Sequence, residues 1–162
     1  MMTMQKRTRI FLVLAGLAML SACASDAEKP ATTPLAMESR SYHEVLESAY
    51  IKLAEKAFGE MDWIDAYRFQ NKATQARNGR TVEPDNPKSR SIAVARDPDI
   101  QRAYRILRGY LQGDGLAKAP ADLAVAQAAY DCWIENAEES ETELVSGECR
   151  RQYEQALRRI ED

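Results

Sequence analysis

Histidine is almost absent from this chain. His43 is the only one among 162 residues, and it stands where the first helical pattern begins, the place of an exposed residue beside a cap rather than of a catalytic group. No His, Cys or carboxylate cluster has the spacing of a metal-ligand set, so no metal and no other cofactor is expected. Glycine is scarce too: the seven present form no phosphate-binding pattern, and "GDG" at Gly113 to Gly115 reads as a turn. No stretch alternates apolar and polar residues with period two, which excludes a sheet. A basic excess is also missing, with 22 Lys and Arg against 25 Asp and Glu, and this argues against nucleic acid as a partner. The one long apolar run, Ile10 to Leu20, has eleven residues. Spanning a bilayer takes roughly 20.

That run follows Lys6, Arg7 and Arg9 and precedes the small residues of "LSAC", Leu20 to Cys23. A basic front, a short apolar core and a small-residue site make a signal peptide over residues 1–22. "LSAC" resembles a bacterial lipobox. The resemblance implies cleavage before Cys23 and acylation of that cysteine, palmitate being the expected chain. Two or more acyl chains anchor stably, since each buried methylene contributes about 0.8 kcal/mol. Ala24 and Ser25 follow, with no aspartate after the cysteine. By similarity to enterobacterial sorting signals, this implies the periplasmic face of the outer membrane. The processed chain would hold 19 basic and 25 acidic residues. Charge is uneven along it: residues 77–108 carry eight basic groups against four acids, and residues 109–162 carry five against twelve.

Residues 23–40, with two prolines and no periodicity, read as a lipidated, disordered tether. Its seventeen residues after the cysteine reach at most roughly 60 Å. A helical domain is expected over 41–162. Tyr42, Val45, Leu46, Ala49, Tyr50, Leu53, Ala54, Ala57, Phe58 and Met61 keep the i, i+3, i+4, i+7 spacing of one amphipathic helix. Asp62 caps a second, with Trp63, Ala66, Tyr67, Ala73 and Ala76 inward and "NG" at Asn78–Gly79 as its stop. Residues 80–97 lack a helical period and read as a long connector. Asp97 and Pro98 open a third helix with the stripe Ile100, Ala103, Tyr104, Leu107 and Leu111. Pro120 opens a fourth, running to about Glu139. "SETE", Ser140 to Glu143, matches a capping box for a fifth that buries Val145, Cys149, Tyr153, Ala156, Leu157 and Ile160. The expected fold is all-α, a compact bundle of about five helices in antiparallel hairpins.

Cys132 and Cys149 lie eight and nine residues either side of Ser140. On antiparallel helices rising 1.5 Å per residue they stand level, with Cα atoms about 4–5 Å apart if both face inward. An oxidising periplasm then favours a disulfide over two inert buried thiols. The acidic run "ENAEESETE", Glu135 to Glu143, reads as a solvated helix end rather than as an acid/base pair. Arg102, Arg105 and Arg108 recur every three residues on the third helix. They either pair with the acidic last third of the chain or form an anion-binding face on which a partner docks.

"YIKLAEKAFGEMDWIDAYRFQNKA", Tyr50 to Ala73, resembles a tetratricopeptide helix pair. Small residues at Ala54, Ala66 and Ala73 would admit close approach, aromatics at Tyr50, Trp63 and Phe69 would fill the gaps, and Met61 stands where that family has glycine. One copy is present, so the bundle is only partly of this kind. "AVAQAAYDCWIENAEE" (Ala124 to Glu139) and "ECRRQYEQAL" (Glu148 to Leu157), with "YIKLAEKAF", "DWIDAYRFQNKA" and the lipobox, resemble the helical region of alphaproteobacterial OmpA-type lipoproteins. In that family the region precedes a peptidoglycan-binding domain. No residues of this sequence match that domain's binding positions, so peptidoglycan binding is not carried over. The expected function is a non-enzymatic outer-membrane lipoprotein, a helical adaptor or scaffold for an envelope protein. The alternative is a small envelope hydrolase or periplasmic ligand carrier, which a deep pocket with a desolvated carboxylate would favour.

Replacing Cys23 by Ala is expected to leave an unprocessed precursor that takes no acyl label. Palmitate labelling and intact-mass measurement check this, and a labelled, shortened variant would overturn lipidation.

Overall fold

The computed structural model describes the backbone of residues 34–140 and 147–162 and the side chains of 41–140 and 147–162. The expected signal peptide, Cys23 and the first part of the expected tether lie outside the described residues, as do Val145 and the "SETE" box after Ser140. Among the described residues the chain is all-α: α1 (Pro34–Gly59), α2 (Trp63–Arg77), a 3-10 turn (Pro87–Ser89), α3 (Ile92–Arg96), α4 (Pro98–Gln112), α5 (Gly115–Lys118), α6 (Pro120–Glu139) and α7 (Glu148–Glu161).

α1 begins earlier than expected. Residues 34–40 belong to α1. Proline is tolerated in a first helical turn, and Leu35, Ala36, Met37, Glu38 and Arg40 are strong helix formers, so the helix extends to the proline.

Both ends of the α1–α2 turn are built locally. The Asp62 N–H donates to the Ala57 carbonyl at 2.9 Å and the Met61 N–H to Phe58 at 3.1 Å, with Met61 left-handed at φ 65°. This is a Schellman closure with methionine where glycine is usual. Asp62 then accepts from the N–H groups of Ile64 and Asp65 at 3.1 and 3.0 Å and caps α2. The same closure recurs at the far end of α2, with Gly79 at φ 64° and Arg80 N–H donating to Gln75 at 3.0 Å.

Residues 80–97 are less open than their composition implied. Asn86 caps the 3-10 turn through Lys88 N–H at 3.0 Å, and Ser91 caps α3 through Val94 N–H. Val82, Pro84, Pro87 and Val94 are buried. Elements of three to five residues carry no readable periodicity, which is why the sequence presents them as connector.

α6 is the axis of the domain. It lies against α1, α3, α4, α5 and α7. Every residue from Ala126 to Ala137 is buried, polar ones included. Tyr104, Tyr130, Tyr153 and Trp133 join α4, α6 and α7 with ring centroids 6.0–6.1 Å apart. The Tyr153 hydroxyl also donates to the Ala103 carbonyl at 3.0 Å. α7 buries Cys149, Tyr153, Ala156 and Ile160 as expected, with Leu157 half-buried. A disulfide joins Cys132 of α6 to Cys149 of α7 across a Cα separation of 5.7 Å.

Closing a 17-residue separation is expected to contribute ~3 kcal/mol by restricting the unfolded chain. Denaturant titration of a Cys132→Ala, Cys149→Ala variant should show about that loss. An unchanged midpoint would mean the bond adds nothing.

Candidate functional site

α6 carries a polar seam on an otherwise apolar helix: Gln127, Asp131 and Glu135, each four residues after the last and all buried. Side chains four apart share one helix face. Here that face meets α1, α2 and the segment after α2.

Asp131 is fully enclosed and every group on it is a donor. Lys72 Nζ lies 2.5 Å from Oδ2, the Tyr50 hydroxyl donates to Oδ2 at 2.6 Å, and the Asp85 N–H donates to Oδ1 at 2.8 Å. Burial pulls this carboxyl up, opposed first by the Lys72 charge. With three donors and no acceptor facing it, the group sits as a carboxylate. Burial also works against the Lys72 ammonium, but Asp131 and Asp85, the latter at 2.6 Å, outweigh it and hold it above its ordinary value. Lys72 spends a further donor on the Glu83 carbonyl at 3.0 Å. Gln127 continues the seam, donating to the Val82 carbonyl at 2.7 Å and to Tyr50 at 3.3 Å while accepting from the Tyr42 hydroxyl. The residues needed are scattered from Tyr42 to Asp131, so no motif announced the network. The period-four polar seam was its only signal in the sequence.

Glu135 extends the seam to the turn between α1 and α2. Its carboxylate and those of Asp62 and Asp65 lie within 4.8 Å of one another. Burial pushes Glu135 up to about 7, with Lys56 opposing, and pushes Asp65 up as well. The expectation of a solvated helix end from Glu135 onward is corrected here: Glu135 and Asn136 are buried, and exposure begins at Glu138. The cluster escaped a search by spacing because Glu135 comes from a distant helix. Its oxygens match a cation's reach, but Asp65 is already ion-paired to Arg68 and Arg90, which reduces the field available to a metal.

Among the described residues, no ion pair joins the arginine row to the acidic last third. Arg102 pairs with Asp99 of its own helix at 3.3 Å, and Arg108 lies 3.6 Å from Glu83. Arg105 makes no ion pair among the described residues. It is instead Arg150, from the last third, that reaches back to Asp99 at 3.0 Å. Packing turns the three arginines to different neighbours because a spacing of three drifts round the helix. His43 is half-buried rather than exposed, and its Nδ1 has no hydrogen-bond partner among the described residues. Burial lowers its ordinary value, favouring the neutral ring.

Two open grooves flank α1. One, of about 540 Å³, runs over small residues of α6, including Ala128, Ala129 and Cys132. The other, of about 580 Å³, lies between α1 and α2 and is walled by Ile51, Phe58, Trp63 and Tyr67. The sequence stripe placed Phe58, Met61, Trp63 and Tyr67 inside. They are 60–73% exposed, joined by Ile64 at 76%. Among the described residues, Phe58 and Met61 at the end of the stripe are left largely uncovered. Phe58 and Trp63 pack edge to face, ring centroids 4.9 Å apart. Of the aromatics expected to fill the helix pair, Tyr50 and Phe69 do so.

No family model, curated protein or solved structure matches this chain.

Glu135 supplies a pH test. Its folded-state value of about 7 lies above its ordinary 4.5. The folded state therefore holds this proton more tightly, so the contribution to stability is complete below about 4.5 and lost as pH rises through 7. Glu135→Gln is expected to flatten that decline, matching the parent near pH 5 and exceeding its melting temperature at about pH 8. A variant no more stable than the parent at the higher pH would contradict the assignment.

Proposed function

We propose that the chain is a non-enzymatic lipoprotein adaptor or scaffold, anchored through Cys23 to the periplasmic face of a bacterial outer membrane. Its α1–α2 turn receives a segment of another envelope protein. One observation carries this reading: Phe58, Met61, Trp63, Ile64 and Tyr67 stand exposed together around one turn. Soluble domains seldom leave a contiguous apolar patch uncovered unless something docks on it, and Trp and Tyr dominate the energetics of protein interfaces.

The backbone supports the same reading. Met61 occupies a left-handed conformation that glycine would adopt without strain. Holding a large apolar side chain there costs on the order of 1–2 kcal/mol, a burden that folding alone gives no reason to keep. Glu55 lines the groove, and Glu60 and Asp62 stand in the turn itself. The partner that fits is an aliphatic segment flanked by lysine or arginine, since an acidic rim disfavours both anionic lipid and an acidic partner. For a hydrolase the decisive group would be a desolvated carboxylate opening on a cleft. Asp131 is desolvated, but all its reach is spent on Lys72, Tyr50 and Asp85, and Glu135, desolvated too, lines neither groove.

The test places a photoreactive residue at Tyr67 in envelopes and compares it with the same chain carrying Trp63→Ser and Ile64→Ser. A discrete crosslinked protein, lost in the double variant at unchanged melting temperature, is the expected result. Flotation of unlipidated chain with neutral lipid vesicles through Trp63 would instead identify a lipid-seeking tip and overturn the adaptor reading.

A further inference from the structure

The cavity with the strongest claim to a ligand lies at the other end of α1, well away from the exposed turn. It encloses about 260 Å³ between the start of the described α1 side chains, residues 81–83, the end of α4 and α5. Its body is apolar: Val82 is buried, and Leu111 and Leu116 are half-buried. Tyr42 forms a wall, with its hydroxyl turned away to Gln127.

His43 and Arg108 also line this space. The Nδ1 of His43 is buried and has no partner among the described residues, a rare condition that asks for a reason. Arg108 uses only one nitrogen. Its NH1 donates to the Tyr104 hydroxyl at 3.2 Å and lies 3.6 Å from exposed Glu83, which leaves Nε and NH2 without a partner among the described residues. The guanidinium is steadied over the Tyr104 ring at 5.8 Å. A planar fork of free N–H donors is the arrangement that takes a carboxylate by two parallel bonds.

The walls are fixed before anything binds. Gln127 holds the Val82 carbonyl at 2.7 Å and Lys72 holds the Glu83 carbonyl at 3.0 Å, so the buried seam pins one side. On the other side Gly115 packs against Tyr110 so closely that an added Cβ would meet the Tyr110 carbonyl oxygen at 2.8 Å, which locks α5 and Leu116 onto α4. A preformed apolar cavity with a few convergent polar groups is the usual form of a small-molecule site, and one slightly under 300 Å³ suits a ligand below drug size.

We propose that this cavity binds a small aliphatic carboxylate, its acid group on Arg108 and its chain against Val82, Leu111 and Leu116. Glu83 releases Arg108 to the incoming acid, since it holds the guanidinium only loosely and from an exposed position. The site is independent of the α1–α2 groove, so its failure would leave the docking reading untouched.

Full-length protein is titrated with hexanoate, hexanol and hexylamine and followed by NMR on the methyls of Leu111 and Leu116 and on the His43 ring. Hexanoate is expected to shift these signals, with hexanol at least tenfold weaker and hexylamine weaker still. Arg108→Gln, a change at a half-exposed side chain, should weaken hexanoate about tenfold, leave hexanol unchanged and keep the melting temperature. Thr81→Trp, which fills the mouth from an exposed position, should remove all binding. The proposal is overturned if hexanoate leaves the three sites unshifted, if hexylamine binds as well as hexanoate, or if Arg108→Gln binds hexanoate as the parent does.

Discussion

The fold hangs on one buried ion pair. Lys72 and Asp131 meet at 2.5 Å in a region where neither could stay charged alone. Their attraction is largely consumed by desolvation, so the pair is weak evidence for stability in itself. Its effect is on arrangement. Asp131 comes from α6, Lys72 from α2, Tyr50 from α1 and the Asp85 amide from the segment after α2. A slip of any of these elements would leave a buried charge or donor without a partner, at a cost of several kcal/mol. An apolar core of alanines, leucines and tyrosines is tolerant of such slips. The polar seam is not.

Much else follows from that constraint. Residues 82–85 have little regular structure of their own, yet their carbonyls and one amide are bound by Gln127, Lys72, Tyr130 and Asp131. This ordering gives α3 and α4 a fixed starting point and supplies a rigid wall beside Arg108. At the other end of the seam, Glu135 brings a third carboxylate to Asp62 and Asp65. The seam thus runs from a firmly satisfied centre to a poorly satisfied end. That end lies beside the turn where the apolar side chains are uncovered, so the least settled electrostatics and the least settled packing of the domain coincide.

Helix starts and stops were legible because they are local. Asp62, Asp97 and Pro98, Pro120 and the Asn78–Gly79 stop all act within one turn of chain, and each stands where the sequence placed it. The level positions of Cys132 and Cys149 were legible too, since helical rise converts a count of residues into a height. The short α3 and the early start of α1 were not, the first because five residues hold no period and the second because prolines and small polar residues outweighed a run of good helix formers. The candidate sites were least visible. Glu135 looked like part of a charged run, Arg108 like one of three equivalent arginines, and Trp63 and Tyr67 like core.

The sequence by itself determined that the chain is helical, where the main helices begin and end, and which face of α4 and α7 turns inward, because these depend on neighbours within about four residues. Only the tertiary structure decided which apolar residues stay uncovered and which polar ones are enclosed. Whether Phe58 or Trp63 is core depends on whether another helix extends far enough to cover it. Whether Asp131 is a surface acid or the centre of a network depends on Lys72 and Tyr50 arriving from other helices. Periodicity assigns a side to each residue. Burial is assigned by what the rest of the chain puts on that side.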